Sequence, residues 1–453
     1  MKNRGQDTDA MLEWLATQGE NCALRAVVCD LNGIFRGKRV PLESARRALE
    51  GALKMPLSTL FVDVWGGDAL ASGMVLETGD RDGHMRPTER GFLPVDWLGT
   101  PGVLLPCSMV DEAGKAYPID ARNLLASITE RWHARGLKPV CALELEFYLH
   151  EASASTVQPP LRPDGARLSA GDVYSLQDLE GFDAFLGDVY AACRTFGIAA
   201  GEATSETGCG QFEINFNHVD DPLRAADDAQ LFKYLVKGVA AKHDLGATFM
   251  AKPYGDDAGS GMHVHFSVVD DAGRNVFADD TGRGSPLLHA AIGGLIEDLP
   301  DAMLVFAPHF NSFRRFQDSS HAPTRATWGY ENRTAALRVP SGPNESRRIE
   351  HRVAGADANP YLVLATILGS ALRGIEEEAT PPPPLEGSAY DSDAVRLPLS
   401  WADAIHRFGE SDTMVDVLGA PLMRVFAAAK QQESDTFAAQ LSTFEVETYL
   451  DLI

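Results

Sequence analysis

The stretch KPVCALELEFYLH, residues 138–150, decides how the rest of the chain is read. Its apolar and aromatic residues predict a β-strand, and alternation along a strand sends Glu144 and Glu146 to the same face. Two carboxylates side by side on an otherwise apolar strand repel each other. Either the face is solvated at a sheet edge, or it meets a cation.

The pattern recurs. In GQFEINFNH (210–218), Phe212, Ile214 and Phe216 take one face, and Glu213, Asn215 and Asn217 take the other. In GMHVHFSV (261–268), Met262, Val264 and Phe266 oppose His263, His265 and Ser267. In RRIEHRV (347–353), Arg348, Glu350 and Arg352 share a face. One such alternation is what any half-exposed antiparallel strand displays. Together, however, these faces carry Glu, His, Asn and Arg rather than the Lys, Thr and Ser of a solvated sheet. Glu206, in SETGCGQFE, adds a carboxylate ahead of its strand. Converging carboxylates are costly unless neutralised. Carboxylates with histidine suit Mg²⁺ or Mn²⁺ better than a thiolate-seeking metal.

Residues 311–352 hold eight arginines and no lysine: Arg314, Arg315, Arg325, Arg333, Arg338, Arg347, Arg348 and Arg352. The chain as a whole has 64 acidic residues against 40 Lys and Arg, a net charge of −24. The arginine run is therefore a local reversal. Arginine grips carboxylate and phosphate through a bidentate fork, although surface ion pairing is the plainer use of any single one. Carboxylates that hold metal beside an arginine cluster suggest phosphoryl transfer. No GxxxxGK[ST] loop is present, so a nucleotide would be held another way.

The net charge argues against binding nucleic acid or an anionic membrane. A length of 453 residues with 45% hydrophobic content predicts two domains with ample core. Six cysteines with no CxxC pair read as reduced thiols of a cytoplasmic protein. The N-terminus lacks the apolar core of a secretory signal. The longest apolar segment, PYLVLATILGSAL (360–372), reads as a buried helix rather than a membrane span.

A small α+β unit is expected over residues 1–115, and a second domain over 116–453. The first begins with a short helix over 7–17 and has two strands around Asn32-Gly33 within 24–41. A helix follows over ESARRALEGAL, then a strand over STLFVDVW (58–65), then two strands around Glu112–Gly114. The second opens with a helix over DARNLLASITERWHARG, capped by Asp and ended by Gly. Residues 151–172 and the four-proline stretch 376–398 read as loops. Helices resume near residue 400.

Seven motifs, DLNGIFRGKRVP, ELEFYL, GCGQFEINF, GSGMHVHFS, NSFRRF, ENRTAALRVP and RRIEHRVAGADANPYL, stand in the order of the glutamine synthetase family, which the chain resembles over nearly its whole length. The resemblance implies a small N-terminal β-grasp domain and a large catalytic domain with a curved antiparallel sheet flanked by helices. It also implies a homo-oligomer, commonly a dodecamer of two stacked hexameric rings, with active sites between subunits. Glu146, Glu206 and Glu213 then correspond to a first metal site, and Glu144, His263 and Glu350 to a second, for Mg²⁺ or Mn²⁺. His265, Ser267 and Arg348 correspond to ATP contacts. Gly259, Arg315 and Arg352 correspond to glutamate contacts, and Arg333 and Arg338 to phosphoryl contacts. The implied chemistry is phosphorylation of the glutamate γ-carboxylate by ATP, then attack of a nitrogen nucleophile on the acyl phosphate.

The chain departs from the family where ammonium is bound. The flap after NSFRR reads RRFQDSSHAP, with His321 where ammonia-using members carry Glu and with Ser319-Ser320 in place of Gly-Tyr. Ala258 replaces an Asn, and Glu345 a Lys. Asp63 matches the ammonium-site Asp but is followed by Val64, Trp65 and Gly66 rather than small hydroxyl residues. The expectation is therefore the γ-glutamyl-amine branch, which joins glutamate to a monoamine or polyamine, with Asp63, Arg333, Glu206 and His321 catalytic. The alternatives are an ammonia-using glutamine synthetase in which His321 replaces Glu, and a non-catalytic relative, against which the intact ligand set speaks. Tyr390, in GSAYDSD, lies near a position that some bacterial members adenylylate, but in a different local sequence.

Overall fold

A computed structural model describes residues 8–19, 22–152, 157–162, 165, 168 and 171–453. Part of the loop expected over 151–172 lies outside these.

Residues 23–110 supply a six-stranded sheet. Its strands are β1 (Ala23–Cys29), β2 (Phe35–Val40), β3 (Leu53–Pro56), β4 (Asp82–Pro87), β5 (Leu93–Val95) and β6 (Gly102–Val110). The order is β2-β1-β6-β4-β3, with β5 also on β6. β1 and β2 form the expected hairpin across Asn32-Gly33, and β1 runs parallel to the fully buried β6.

Two expectations fail in this region. Residues 58–65 are not a strand: Leu57–Phe61 is a 3₁₀ turn, followed by a loop. The FVDVW alternation imitates a strand, but the Asp63 carboxylate takes the backbone N–H groups of Trp65 and Gly67 at 3.0 and 2.7 Å. Glu433 takes that of Val64 at 2.8 Å. Donors a ladder would use are spent on side chains. The pair of strands expected around Glu112–Gly114 reduces to β6 and a single bridge from Val110 to Ala116.

The second sheet has eight strands: β7 (Leu137–Glu151), β8 (Ala200–Ser205), β9 (Gln211–Phe216), β10 (Leu245–Thr248), β11 (Met262–Asp270), β12 (Trp328–Tyr330), β13 (Leu337–Val339) and β14 (Ile349–His351). The order is β12-β13-β14-β11-β7-β9-β8, with β10 also on β7. All pairings are antiparallel except β12 with β13. The apolar faces form the core through Leu143, Leu145, Phe147, Phe212, Ile214, Val264 and Phe266, each at most 1% exposed. The opposite, polar face is the candidate site.

Helices back the apolar face. Ala121–His133 starts where Asp120 accepts from Arg122 and Asn123. Pro222–Lys242 starts where Asp221 accepts from Leu223 and Arg224, with proline in its first turn. Pro360–Glu376 is the expected buried helix, with all positions from Pro360 to Gly374 inside. Its cap Asn359 also donates to the Asp30 carbonyl at 2.8 Å, tying this helix to the first sheet. Among the described residues no helix is long and apolar enough to cross a membrane.

Candidate active site

Cross-strand register brings the polar faces together. Glu144 on β7 lies opposite His263 on β11, and Glu146 lies opposite Glu213 on β9. His265 lies opposite Glu350 on β14, and Arg338 on β13 lies opposite Glu350 from the other side. Directly opposed side chains interact across a ladder.

Ligand atoms of Glu144, Glu213 and His263 fall within 4.8 Å of one another, as do those of Glu144, His265 and Glu350. Glu144 is thus common to both groups. This differs from the expected division: His265, expected to face nucleotide, stands with Glu350 where His263 was expected, and Glu146 and Glu206 lie outside both groups. Donors also reach two of these carboxylates. Glu146 Oε2 accepts from the Gly261 backbone at 2.8 Å and from Gln211 Nε2 at 3.2 Å. Glu350 accepts from Arg338 at 2.7 Å and from Arg352.

The electrostatics mark a cluster short of positive charge. Burial, then the nearby Glu146 charge, pushes the Glu206 carboxyl up to about 7. Burial, then Glu146, Glu144 and Glu206, pushes Glu213 well above the usual carboxylate range. Burial acts the same way on Glu144, but its contacts with His263 and His265 prevail and hold it below that range. Burial likewise opposes ionisation of Glu350, yet Arg352, the two histidines and Arg338 bring it down to about 2. Of the two His265 nitrogens, Nδ1 accepts from Arg348 Nε at 3.1 Å. Nε2 lies 2.9 Å from Glu144 Oε1 but is not aligned for a hydrogen bond, so this buried ring nitrogen has no hydrogen-bond partner. Hard carboxylate oxygens with imidazole nitrogens, one of them lacking a hydrogen-bond partner, fit a divalent cation of the Mg²⁺ or Mn²⁺ kind.

Arg315 is buried beside this cluster, where Nη1 donates to Val353 at 2.7 Å and Nη2 to Arg352 at 3.3 Å through their carbonyls. Two glycines make room for it. A Cβ on Gly259 would stand 2.7 Å from Arg315 Cγ, and one on Gly261 would stand 2.9 Å from Arg315 Nη2 and 3.0 Å from His263 Nε2. Ser267 is half-buried on β11, and Arg333 is exposed on the turn between β12 and β13.

The structure does not bring Asp63 to the cluster. Its Oδ2 accepts from Gln432 at 2.7 Å, and the nearby, exposed Trp65 packs on Phe437 of the same helix. His321 is exposed, with a left-handed backbone at φ 60°, and Ser319 in the same flap has φ 65°. Two participants escaped the sequence reading. Gln211 shares the polar face of β9 with Glu213 and bridges Glu146 to the Gly259 carbonyl, so the alternation itself marked it. The buried Lys430–Glu433 pair under the Asp63 loop left no motif to find.

Residues 118–449 match the family described as "Glutamine synthetase, catalytic domain". A curated relative, gamma-glutamylputrescine synthetase PuuA of Escherichia coli, is 39% identical over 94% of this chain and 90% of its own length. Glutamate–isopropylamine ligase of Pseudomonas sp. is 32% identical over 95% of each chain. A solved structure titled "Apo GmaS without ligand" superposes with a TM-score of 0.82 at 28% identity, covering 97% of this chain and 99% of that one.

Proposed function

Because the chain belongs to the glutamine synthetase family and is a ligase of that family, we propose that it joins the γ-carboxyl of glutamate to an organic amine at the expense of ATP. The observation that carries this reading is a contrast within one site. The carboxylates, histidines and arginines of the motifs are all present in the sequence, whereas the flap presents His321 where ammonia-using members present a carboxylate. Two relatives named for organic amines support it.

In this reading Glu144, Glu146, Glu206, Glu213, His263 and Glu350, with His265 beside them, hold two or more Mg²⁺ or Mn²⁺ ions. Bound there, such ions neutralise phosphate charge during transfer. Gly259, Arg315 and Arg352 seat glutamate. His265, Ser267 and Arg348 face the nucleotide, and Arg333 and Arg338 follow the transferring phosphoryl group. The glutamate γ-carboxylate oxygen attacks the γ-phosphorus and ADP leaves. The amine nitrogen then attacks the acyl carbon, the C–O bond to phosphate breaks, and the amine loses a proton. Asp63 and the apolar Trp65 act from a neighbouring copy, in a dodecamer of two hexameric rings divided near residue 115 of each chain. A reducing, cytoplasmic setting accords with six buried, unpaired cysteines.

The test is ADP release and amide formation from glutamate and ATP with Mg²⁺ or Mn²⁺. The acceptor panel is ammonia, methylamine, isopropylamine, ethanolamine, putrescine and spermidine. Preference for an organic amine is expected. Preference for ammonia would overturn the reading and make the protein a glutamine synthetase.

A further inference from the structure

The four-proline stretch, expected only to be irregular, touches the site at both ends. Near its start, Asn332 Nδ2 donates to the carbonyls of Leu385 and Gly387 at 3.3 and 2.8 Å, and the Ala389 N–H donates to Thr334 Oγ1 at 2.9 Å. Asn332 and Thr334 flank Arg333. Further on, the stretch pairs with the segment that leaves the flap. Ala326 donates to Val395 at 2.8 Å, Leu397 donates to Thr324 at 3.0 Å, and Arg325 Nη1 donates to the Ala394 carbonyl at 3.1 Å. Between these anchors stands Tyr390. Its hydroxyl donates to the Ala322 carbonyl at 3.2 Å, and the His321 backbone amide faces the same oxygen. The ring is half-buried, with the charges of Arg352 and Arg315 close by.

We propose that Tyr390 is a positioning residue: by holding the backbone of His321 and Ala322 from the 385–397 strap, its hydroxyl keeps the flap shut over the acyl-phosphate intermediate. The inference rests on the proposed two-step reaction but not on the identity of the acceptor. His321 and Ser319 both hold left-handed backbone, which costs non-glycine residues free energy and persists only where the surroundings enforce it. Within the flap the enforcing contacts come from Ser320, whose Oγ donates to the carbonyls of Gln317 and Arg315. At its exit, the fixed partner is Tyr390. An open flap admits water, whose oxygen attacks the acyl carbon in place of the amine. Phosphate leaves, a proton goes to solvent, and glutamate is regenerated with ATP consumed.

Tyr390→Phe removes the hydroxyl and keeps the ring. Two readouts apply. The first is ADP released per amide formed, measured with the preferred nitrogen acceptor, ammonia included, and with none. The variant is expected to raise acceptor-free, glutamate-dependent ADP release at least about threefold, with the KM for ATP unchanged, as gating rather than binding is altered. An unchanged ADP-to-amide ratio would overturn the proposal, even if kcat fell. The second is amide hydrogen exchange in the apo protein, which needs no turnover. Faster exchange confined to residues 317–323 is expected, and unchanged exchange there would overturn the proposal. A wild-type enzyme that prefers ammonia would refute the amine reading while leaving both readouts intact.

Discussion

Replacing Glu213 by Gln separates a metal site from a solvated acidic patch. Ligand atoms of Glu213 and Glu144 approach within 4.8 Å. At an effective dielectric of about 20, two unit charges at that separation repel by about 3.5 kcal/mol. The native fold limits this cost by retaining a proton on Glu213, whose affinity for it is raised by burial and then by Glu146 and Glu144. Between the unfolded-state pKa and the higher native one, folded wild-type protein binds more protons than unfolded chain. Its stability therefore falls as pH rises through that window. Gln cannot titrate and lacks this decline. In chelator-treated protein the variant should match wild type near about pH 5 and exceed it by about 2–3 kcal/mol near about pH 8. Added Mn²⁺ should close most of that gap at the higher pH and put wild type ahead near about pH 5. A ligand at about a hundred times its Kd stabilises the native state by about 2.7 kcal/mol, a gain the variant largely forgoes. Urea denaturation at both pH values, with and without metal, reads all four conditions. Equal stabilisation of both proteins by metal would refute the reasoning, as would a metal-free variant less stable than wild type at the higher pH.

Three further outcomes are expected. His321→Glu should raise the ratio of kcat/KM for ammonia to that for the preferred amine at least about tenfold, worth about 1.4 kcal/mol of transition-state selectivity, in steady-state assays. On the phosphoryl role proposed for Arg338, Arg338→Lys should lower kcat by about two orders of magnitude, since an ammonium cannot offer the bidentate fork, with little change in the amine KM; Arg352 still meets Glu350, so metal affinity measured by titration should survive. Lys430→Met should cost about 3–5 kcal/mol in urea denaturation, because it strands the buried Glu433 carboxylate; adding Glu433→Gln should recover at least half of that loss while keeping an acceptor for the Val64 N–H.

The strands of the second sheet were legible because alternation is a local property. Burial of Leu143, Leu145 and Phe147 on one side leaves Glu144 and Glu146 on the other, whatever else the chain does. The reading failed at 58–65 for a reason equally local but invisible to polarity patterns. There Asp63 bonds to its own loop, and Glu433, 369 residues away in sequence, takes the intervening N–H. A side chain that substitutes for a strand partner looks the same in one dimension as one that faces solvent. The contact of the Tyr390 hydroxyl with the flap depends on a turn and two backbone pairings that no residue pattern announces.

Register explains why two adjacent carboxylates are tolerable on one strand. Glu144 and Glu146 share a face but not a set of partners. Across β11, Glu144 meets His263, whereas Glu146 receives the Gly261 N–H beyond the strand's end. Across β9, Glu144 meets the amide of Asn215 and Glu146 meets Glu213. Glu144 is therefore held ionised by imidazoles, while the charge of Glu146 falls on Glu206 and Glu213 and raises their proton affinities. One strand thus serves two electrostatic environments a single pleat apart. A register slip of one residue would move both carboxylates into the apolar core, where neither imidazole nor cation could compensate them. The constraint that fixes the sheet's register is thus also the one that assembles the site, since the core face and the charged face are set by the same alternation.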